Sequence, residues 1–272
     1  MKTFLSDVFQ QLWQGKDPFE QAESINGDVY RELEGRRTLR FEVNGKGYFL
    51  KLHRGVGWKE IFKNLLLLRL PILGAANEKN AVDALTKAGV GTMTVAAFAE
   101  RGTNPAKQHS FIITEAIEPS VSLEDLAIEW RQQPPSITEK RALLMKVCEM
   151  TRVMHAAGVN HRDFYICHFL LRNREPQSNP DSPSTPDLAL IDLHRALIHK
   201  NLPYRWRLKD LASLYYSALD VPLTHRDKLR FIRAYSGLPL RQALQQDKRL
   251  WSQVETKAKR LYAKALRKGI VR

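Results

Sequence analysis

"HRDFYICHFLL", residues 161–171, joins two unlike kinds of sequence: a charged triplet, His161-Arg162-Asp163, and an apolar run that closes on Phe169, Leu170 and Leu171. Upstream lies "SITEKRALLMKVCEMTRVMHAAG", residues 136–158. Ser136 and Glu139 have capping-box spacing, Leu144, Val147, Cys148, Thr151 and Met154 share one face, and Gly158 is a stop. The pattern predicts a long helix that ends just before His161. Downstream, "CHFLL" reads as a strand. A loop pinned between helix and strand presents Asp163 in a fixed place, as a working carboxylate requires.

A second acid lies further on. "LALIDLHR", residues 188–195, is an apolar strand pattern ending at Asp192. Between the two acids runs "NREPQSNPDSPSTPD", residues 173–187, whose four prolines predict an exposed loop. Phosphoryl transfer needs a lysine on the nucleotide phosphates, an acid that fixes it, a carboxylate beside the acceptor hydroxyl, and oxygen ligands for Mg²⁺. The motif set of kinases places that lysine on a strand after the first hairpin, where "YFLKLHR" offers Lys51. Glu78, one turn into the helical pattern "AANEKNAVDAL", is its candidate partner. Thr114, Glu115 and Ala116 stand where a hinge would offer backbone to the adenine edge. Asp163 is the candidate base, Asp192 the metal ligand, and His161, Arg162 and Asp210 the supports. Asp210 either caps its own helix or braces the loop from below.

Three departures limit the analogy. In HRDxxxxN the last position binds metal, and here it is His168, which can lend a neutral nitrogen, hold a metal-bound water, or leave the ion to Asp192. No GxGxxG precedes Lys51; Gly35 stands alone, with Arg36, Arg37 and Thr38 supplying charge and hydroxyl in place of bare amides. No APE sequence follows Asp192. The last two point away from a peptide groove and toward a small or lipid-linked acceptor.

Around this centre, "YRELEGRRTLRFEVNGKGYFLKLHR" alternates about Asn44-Gly45, predicting two or three antiparallel strands between Tyr30 and His53. A helix over "GAANEKNAVDALTKAGV" and strands over "MTVAAFAE" and "SFIITEAI" follow, then helices, including one capped at Ser122. "WKEIFKNLLLLRLPILG", residues 58–74, is too short and too charged to span a bilayer, and reads as a packed helix or a segment at a membrane surface. "DKRLWSQVETKAKRLYAKALRKGIVR" predicts a basic amphipathic helix with Leu250, Val254, Ala258, Leu261 and Leu266 inward. The fold class expected is α+β, a protein-kinase-like bilobal fold: an N-terminal antiparallel-sheet lobe over 1–116 and a larger, mainly helical lobe over 117–272.

At 272 residues with 43% hydrophobic composition, the chain can bury a large core, which excludes global disorder. Its 43 Lys plus Arg exceed 29 Asp plus Glu, a net +14 that favours anionic partners: nucleotide, anionic membrane, an acidic protein or nucleic acid. Two cysteines build neither a disulfide framework nor a zinc site, so a reducing cytoplasm is expected. The first residues, "MKTFLSDVFQQLWQGKDPFEQ", lack a signal peptide's apolar core.

Taken together, "GKDPFE", "RELEGRRTLRFEVNGKGYFLKLHRG", "SFIITEAI", "MHAAGVNHRDFYICHFLL", "IDLHRA" and "RWRLKDL" resemble the lipopolysaccharide core heptose(I) kinases of Gram-negative bacteria, over nearly the whole chain. The resemblance implies ATP-dependent phosphorylation of the first inner-core heptose, at the cytoplasmic face of the inner membrane, with no role for nucleic acid. It implies Asp163 as base, Lys51 and Glu78 as nucleotide anchors and Asp192 as metal ligand, and it includes the histidine at 168. The phosphates and carboxylates of the acceptor give the basic surface a purpose. The competing readings are a metal-dependent phosphoester hydrolase built on His161, Asp163, His168, Asp192 and His194, a tyrosine kinase with the same site, and a catalytically silent binding module.

Overall fold

The computed structural model describes every residue except 34, 56, 59–61, 63–65, 67–73, 105, 174–184 and 270–272. The chain forms two compact units: 1–83 with 93–118 and 193–195, and 84–92 with 119–192 and 196–272.

The first unit is built on a six-stranded antiparallel sheet in the order β1-β5-β6-β4-β3-β2. The strands are β1 (Lys2–Leu5), β2 (Asp28–Leu33), β3 (Arg36–Val43), β4 (Lys46–His53), β5 (Val95–Arg101) and β6 (His109–Glu115). The β3–β4 hairpin closes on Asn44 and Gly45 at φ 51° and 75°, the pair of positive angles a two-residue turn needs to match strand twist. Alternation then sorts the faces. Leu39, Phe41, Tyr48, Leu50 and Leu52 pack with Phe9, Trp13 and Phe19 from the two short helices that precede β2. The second of these starts where Asp17 accepts from the Phe19 amide and Pro18 opens the first turn. On the opposite face Phe98 and Ile112 pack with Ala75 and Ala76, where the helix Ala76–Lys87 begins. The sequence reading omitted β1. Four residues are too few for a period to register, and β1 exists because β5 offers a free edge.

The second unit is mainly helical. The helices Leu123–Gln132 and Ile137–Ala156 are capped by Ser122 and Ser136, which accept from the amides of Asp125 and Glu139. Among the described helices the fully reciprocal box forms at Thr224 and Asp227 instead, opening His225–Ser236. Cys148, Leu211, Tyr235, Leu250 and Val254 join four helices in one core cluster. The helix Lys248–Arg267 buries Leu250, Val254, Ala258 and Ala265. Leu266 is half exposed, because a seven-residue step from Ala258 brings position 265, not 266, back to the buried stripe.

Two expectations fall mainly outside the described residues. In 58–74, Trp58, Phe62 and Leu66 are helical and exposed. Of the proline-rich 173–187, only the ends are described. Among the described residues no helix is long and apolar enough to cross a membrane.

Candidate active site

In the first unit, Lys51 Nζ lies 2.7 Å from Glu78 Oε1. Glu78 is only 1% exposed, while the Lys51 side chain keeps 21%. A buried ion pair recovers little more than its own desolvation, so stability does not account for it. What it does is hold an ammonium rigidly on one face of the sheet, on the interior strand β4. Strand register decides which residues join it. Thr38 pairs with Lys51 and Arg36 with His53, so Arg36, Thr38, Lys51 and His53 lie on one face. Arg37 pairs with Leu52, on the other face, and its guanidinium donates to the Ile25 carbonyl. The expectation that both arginines serve one anion therefore fails for Arg37, because successive strand residues point to opposite sides. Burial, with Arg36 and Lys51 nearby, pushes the His53 imidazole down to about 3, so it adds no charge to this face near neutral pH.

The hinge segment departs from expectation in detail. The Glu115 amide donates to the Thr94 carbonyl and the Ala116 amide to the Gly47 carbonyl, both at 2.9 Å. These two donors are taken by the fold, and Thr114 is buried within β6.

The second unit holds the loop quoted at the outset. Asp210 sits in the middle of the helix Tyr204–Ser217 and is fully buried. Its Oδ2 accepts from the His161 amide at 2.7 Å and its Oδ1 from the Arg162 amide at 2.9 Å. Of the two roles expected for it, the brace forms and the cap does not, because the helix starts six residues earlier, after Pro203. Arg162 is held at φ 72°, in the left-handed region that costs a non-glycine residue roughly 1–3 kcal/mol. The Asp210 bonds hold the loop against that cost. Arg162 is buried, its guanidinium 5.4 Å over the Trp206 ring. His161 is buried too. Burial holds its imidazole below the usual range, and its Nε2 donates to the Ile191 carbonyl at 2.9 Å, fastening the loop to the residue before Asp192.

His168 follows in a short 3₁₀ turn, Ile166–His168, with the strand Phe169–Arg172 starting only after it. Its Nδ1 lies 2.7 Å from the Asp163 carbonyl oxygen, which can only accept, so Nδ1 carries the hydrogen. In the neutral ring the lone pair is then on Nε2, and Nε2 lies 3.7 Å from Asp192 Oδ2. His161 stacks on the same ring at 5.4 Å and 16°. Asp192, at φ 60°, is left-handed too. An imidazole whose Nδ1–H is fixed on a backbone carbonyl, leaving Nε2 as the nitrogen for a metal, is the form a metal-ligating histidine takes. The donor set fits Mg²⁺, which is commonly held by one or two carboxylates with waters and substrate phosphates completing its shell. Among the described residues no group of three His, Cys, Asp or Glu side chains could hold a metal ion. The hydrolase reading, which needed five of them around one ion, has no such cluster here.

Residues 20–235 match the model of the lipopolysaccharide kinase (Kdo/WaaP) family. The chain belongs to that family. It is similar to the lipopolysaccharide core heptose(I) kinase WaaP of Pseudomonas aeruginosa PAO1, at 54% identity over 269 residues and 99% of each chain. An Escherichia coli protein of the same name is 50% identical over 266 residues, covering 98% of this chain and 99% of the other. A solved structure, "WaaP in complex with acyl carrier protein", aligns with TM-score 0.83 at 50% identity, over 96% of this chain and all of the other. Membership in the Kdo/WaaP family makes the chain a kinase, a phosphotransferase of α+β, protein-kinase-like fold.

One residue near Asp163 escaped the sequence reading. Lys209 Nζ lies 3.9 Å from Asp163 Oδ1. Its only sequence signal is its place beside Asp210 in "RLKDL".

Proposed function

We propose that this chain phosphorylates the first heptose of the lipopolysaccharide core with ATP as donor, and that two lobes divide the work. Residues 1–116 act as the nucleotide lobe: Lys51, fixed by Glu78, meets phosphate oxygens, and Arg36 on the same face adds charge. Residues 117–272 act as the catalytic lobe: Asp163 orients the heptose hydroxyl and takes its proton, while Asp192 and His168 hold Mg²⁺. When bound, Mg²⁺ supplies positive charge to the phosphate oxygens. The observation that carries this reading is the loop itself, with Asp163 backed by two Asp210 hydrogen bonds and by a histidine aimed at Asp192. The metal role is tested by following label from ATP onto dephosphorylated lipopolysaccharide across a Mg²⁺ titration. His168→Ala is expected to need ~10–100-fold more Mg²⁺, the usual effect of a lost metal-site residue, and His168→Asn, which restores an oxygen donor, to need less than His168→Ala. Equal Mg²⁺ dependence in all three proteins would remove His168 from the metal site, and a wild-type chain that transfers nothing would overturn the function.

A lipid-linked acceptor and cytoplasmic ATP meet at the cytoplasmic face of the inner membrane, and we place the chain at its periphery. The relative solved with acyl carrier protein supports an acidic carrier as partner. Two features of the second unit suit it. Arg260, Lys264 and Arg267 form an exposed basic row on the helix Lys248–Arg267. Nearby, Leu126, Trp130, Val147, Leu214 and Ile232 line an apolar cavity of about 390 Å³, suited to an acyl chain. Purified chain is expected to co-elute with acylated carrier at low salt and to lose it when the three basic residues are changed to glutamine. Binding of anionic phospholipid vesicles, but not carrier, by that same row would reassign it to the membrane.

A further inference from the structure

We propose that Lys209 is a second catalytic residue, whose ammonium meets the phosphoryl group as it passes to the acceptor oxygen beside Asp163. The proposal rests on the reading of Asp163 as the base. The loop brings no cation of its own to that point: Arg162 is buried against Trp206, and the four residues after Asp163 are Phe164, Tyr165, Ile166 and Cys167. The positive charge comes instead from the helix Tyr204–Ser217, where Lys209 directly precedes the fully buried Asp210. Because Asp210 bonds the amides of His161 and Arg162, the backbone that carries Lys209 is tied to the backbone that carries Asp163. The Lys209 side chain is 29% exposed and that of Asp163 19%, so both are open to a ligand.

The geometry suits a shared substrate better than a closed pair. A separation of 3.9 Å is longer than the hydrogen-bonded contact that ammonium and carboxylate reach when the pair itself is the purpose. A partly exposed pair of this kind contributes at most about 1 kcal/mol to stability, so stability gives little reason for its placement. In the transfer, the bond from the heptose oxygen to phosphorus forms and the bond from phosphorus to the bridging oxygen of ADP breaks. ADP leaves with that electron pair, and the hydroxyl proton passes to the Asp163 carboxylate. Charge in such a transition state is spread over the three equatorial phosphoryl oxygens. An ammonium beside the base is placed to receive one of them, and fixed charge at developing charge is the strongest lever such a site has.

The test compares wild type, Lys209→Met and Lys209→Arg in the transfer assay, with ATP affinity, acceptor KM and thermal midpoint measured on each. Lys209→Met is expected to lose roughly 100-fold in kcat, as loss of one oxyanion donor does, with ATP affinity and acceptor KM near wild type. Lys209→Arg keeps the charge and is expected to recover most of that loss, and both variants to melt with the wild type. Wild-type turnover in Lys209→Met overturns the proposal and leaves the kinase reading intact. So does a loss confined to acceptor KM, or an equal loss in both variants with a lowered midpoint, which would make Lys209 a brace. A wild-type chain without transfer overturns both.

Discussion

Asp163→Asn is expected to lower kcat by roughly 10³–10⁴-fold, the upper range for removal of a general base, while the protein melts within a few degrees of wild type. The separation of the two effects follows from how the loop is held. Backbone bonds hold residue 163: the Asp210 bonds to the two preceding amides, and the His168 bond to the Asp163 carbonyl oxygen. None of these uses the Asp163 carboxylate. Asparagine keeps the size and hydrogen-bonding shape of the side chain and removes its ability to take a proton. The competing account, in which the carboxylate serves the fold through a neighbouring cation, predicts the reverse: lost stability with transfer preserved. The Lys209 contact at 3.9 Å, with both side chains partly exposed, contributes too little for that. Core phosphorylation restored to a deficient strain by Asp163→Asn would defeat the assignment, and with it the distinction from a silent binding module.

What was legible in the sequence was what periodicity and caps encode. Lys51 and Glu78 could be paired in advance because a strand lysine and a glutamate one turn into the next helix are both set by local pattern, and the 2.7 Å contact needs only that the helix pack on that face. The failures have equally local causes. Arg36 and Arg37 are neighbours in the sequence and opposites in the sheet, and nothing in "EGRRTLR" says which faces Lys51 until the register with β4 is known. How the hinge segment is bonded was not legible because backbone bonding leaves no side-chain trace: the Glu115 and Ala116 amides answer to Thr94 and Gly47, and Gly47 is distant in sequence. Lys209 was missed because it reaches Asp163 from a helix 46 positions downstream (209 − 163 = 46). The left-handed backbone at Arg162 and Asp192 could not be read either, since neither residue type prefers it as glycine does; tertiary bonds impose it.

Asp210→Ala is expected to cost about 2–6 kcal/mol of stability, since two buried amides lose their acceptor at about 1–3 kcal/mol each. For a chain of this size, at about 2–4 °C per kcal/mol, that is a fall of at least about 4 °C and up to about 20 °C in thermal midpoint. Transfer should fall as well, and more steeply than the unfolded fraction explains. With Asp210 gone, the left-handed turn at Arg162 has lost the bonds that hold it, and its cost can be relieved by moving Asp163 away from the acceptor. His155, whose Nδ1 is bonded to the Tyr235 hydroxyl, faces the same carboxylate with its Nε2 at 3.5 Å, so the space left by the variant borders the helical core as well as the loop. Asp210→Asn divides the effect, because one amide oxygen can still accept while the NH₂ group facing the second backbone N–H cannot. It should fall between wild type and Asp210→Ala in both midpoint and kcat, with ATP affinity at Lys51 near wild type, since Lys51 and Glu78 belong to the other unit. If Asp210→Ala melts and transfers like the wild type, the His161 and Arg162 amides do not depend on Asp210 and the loop is held by some other means.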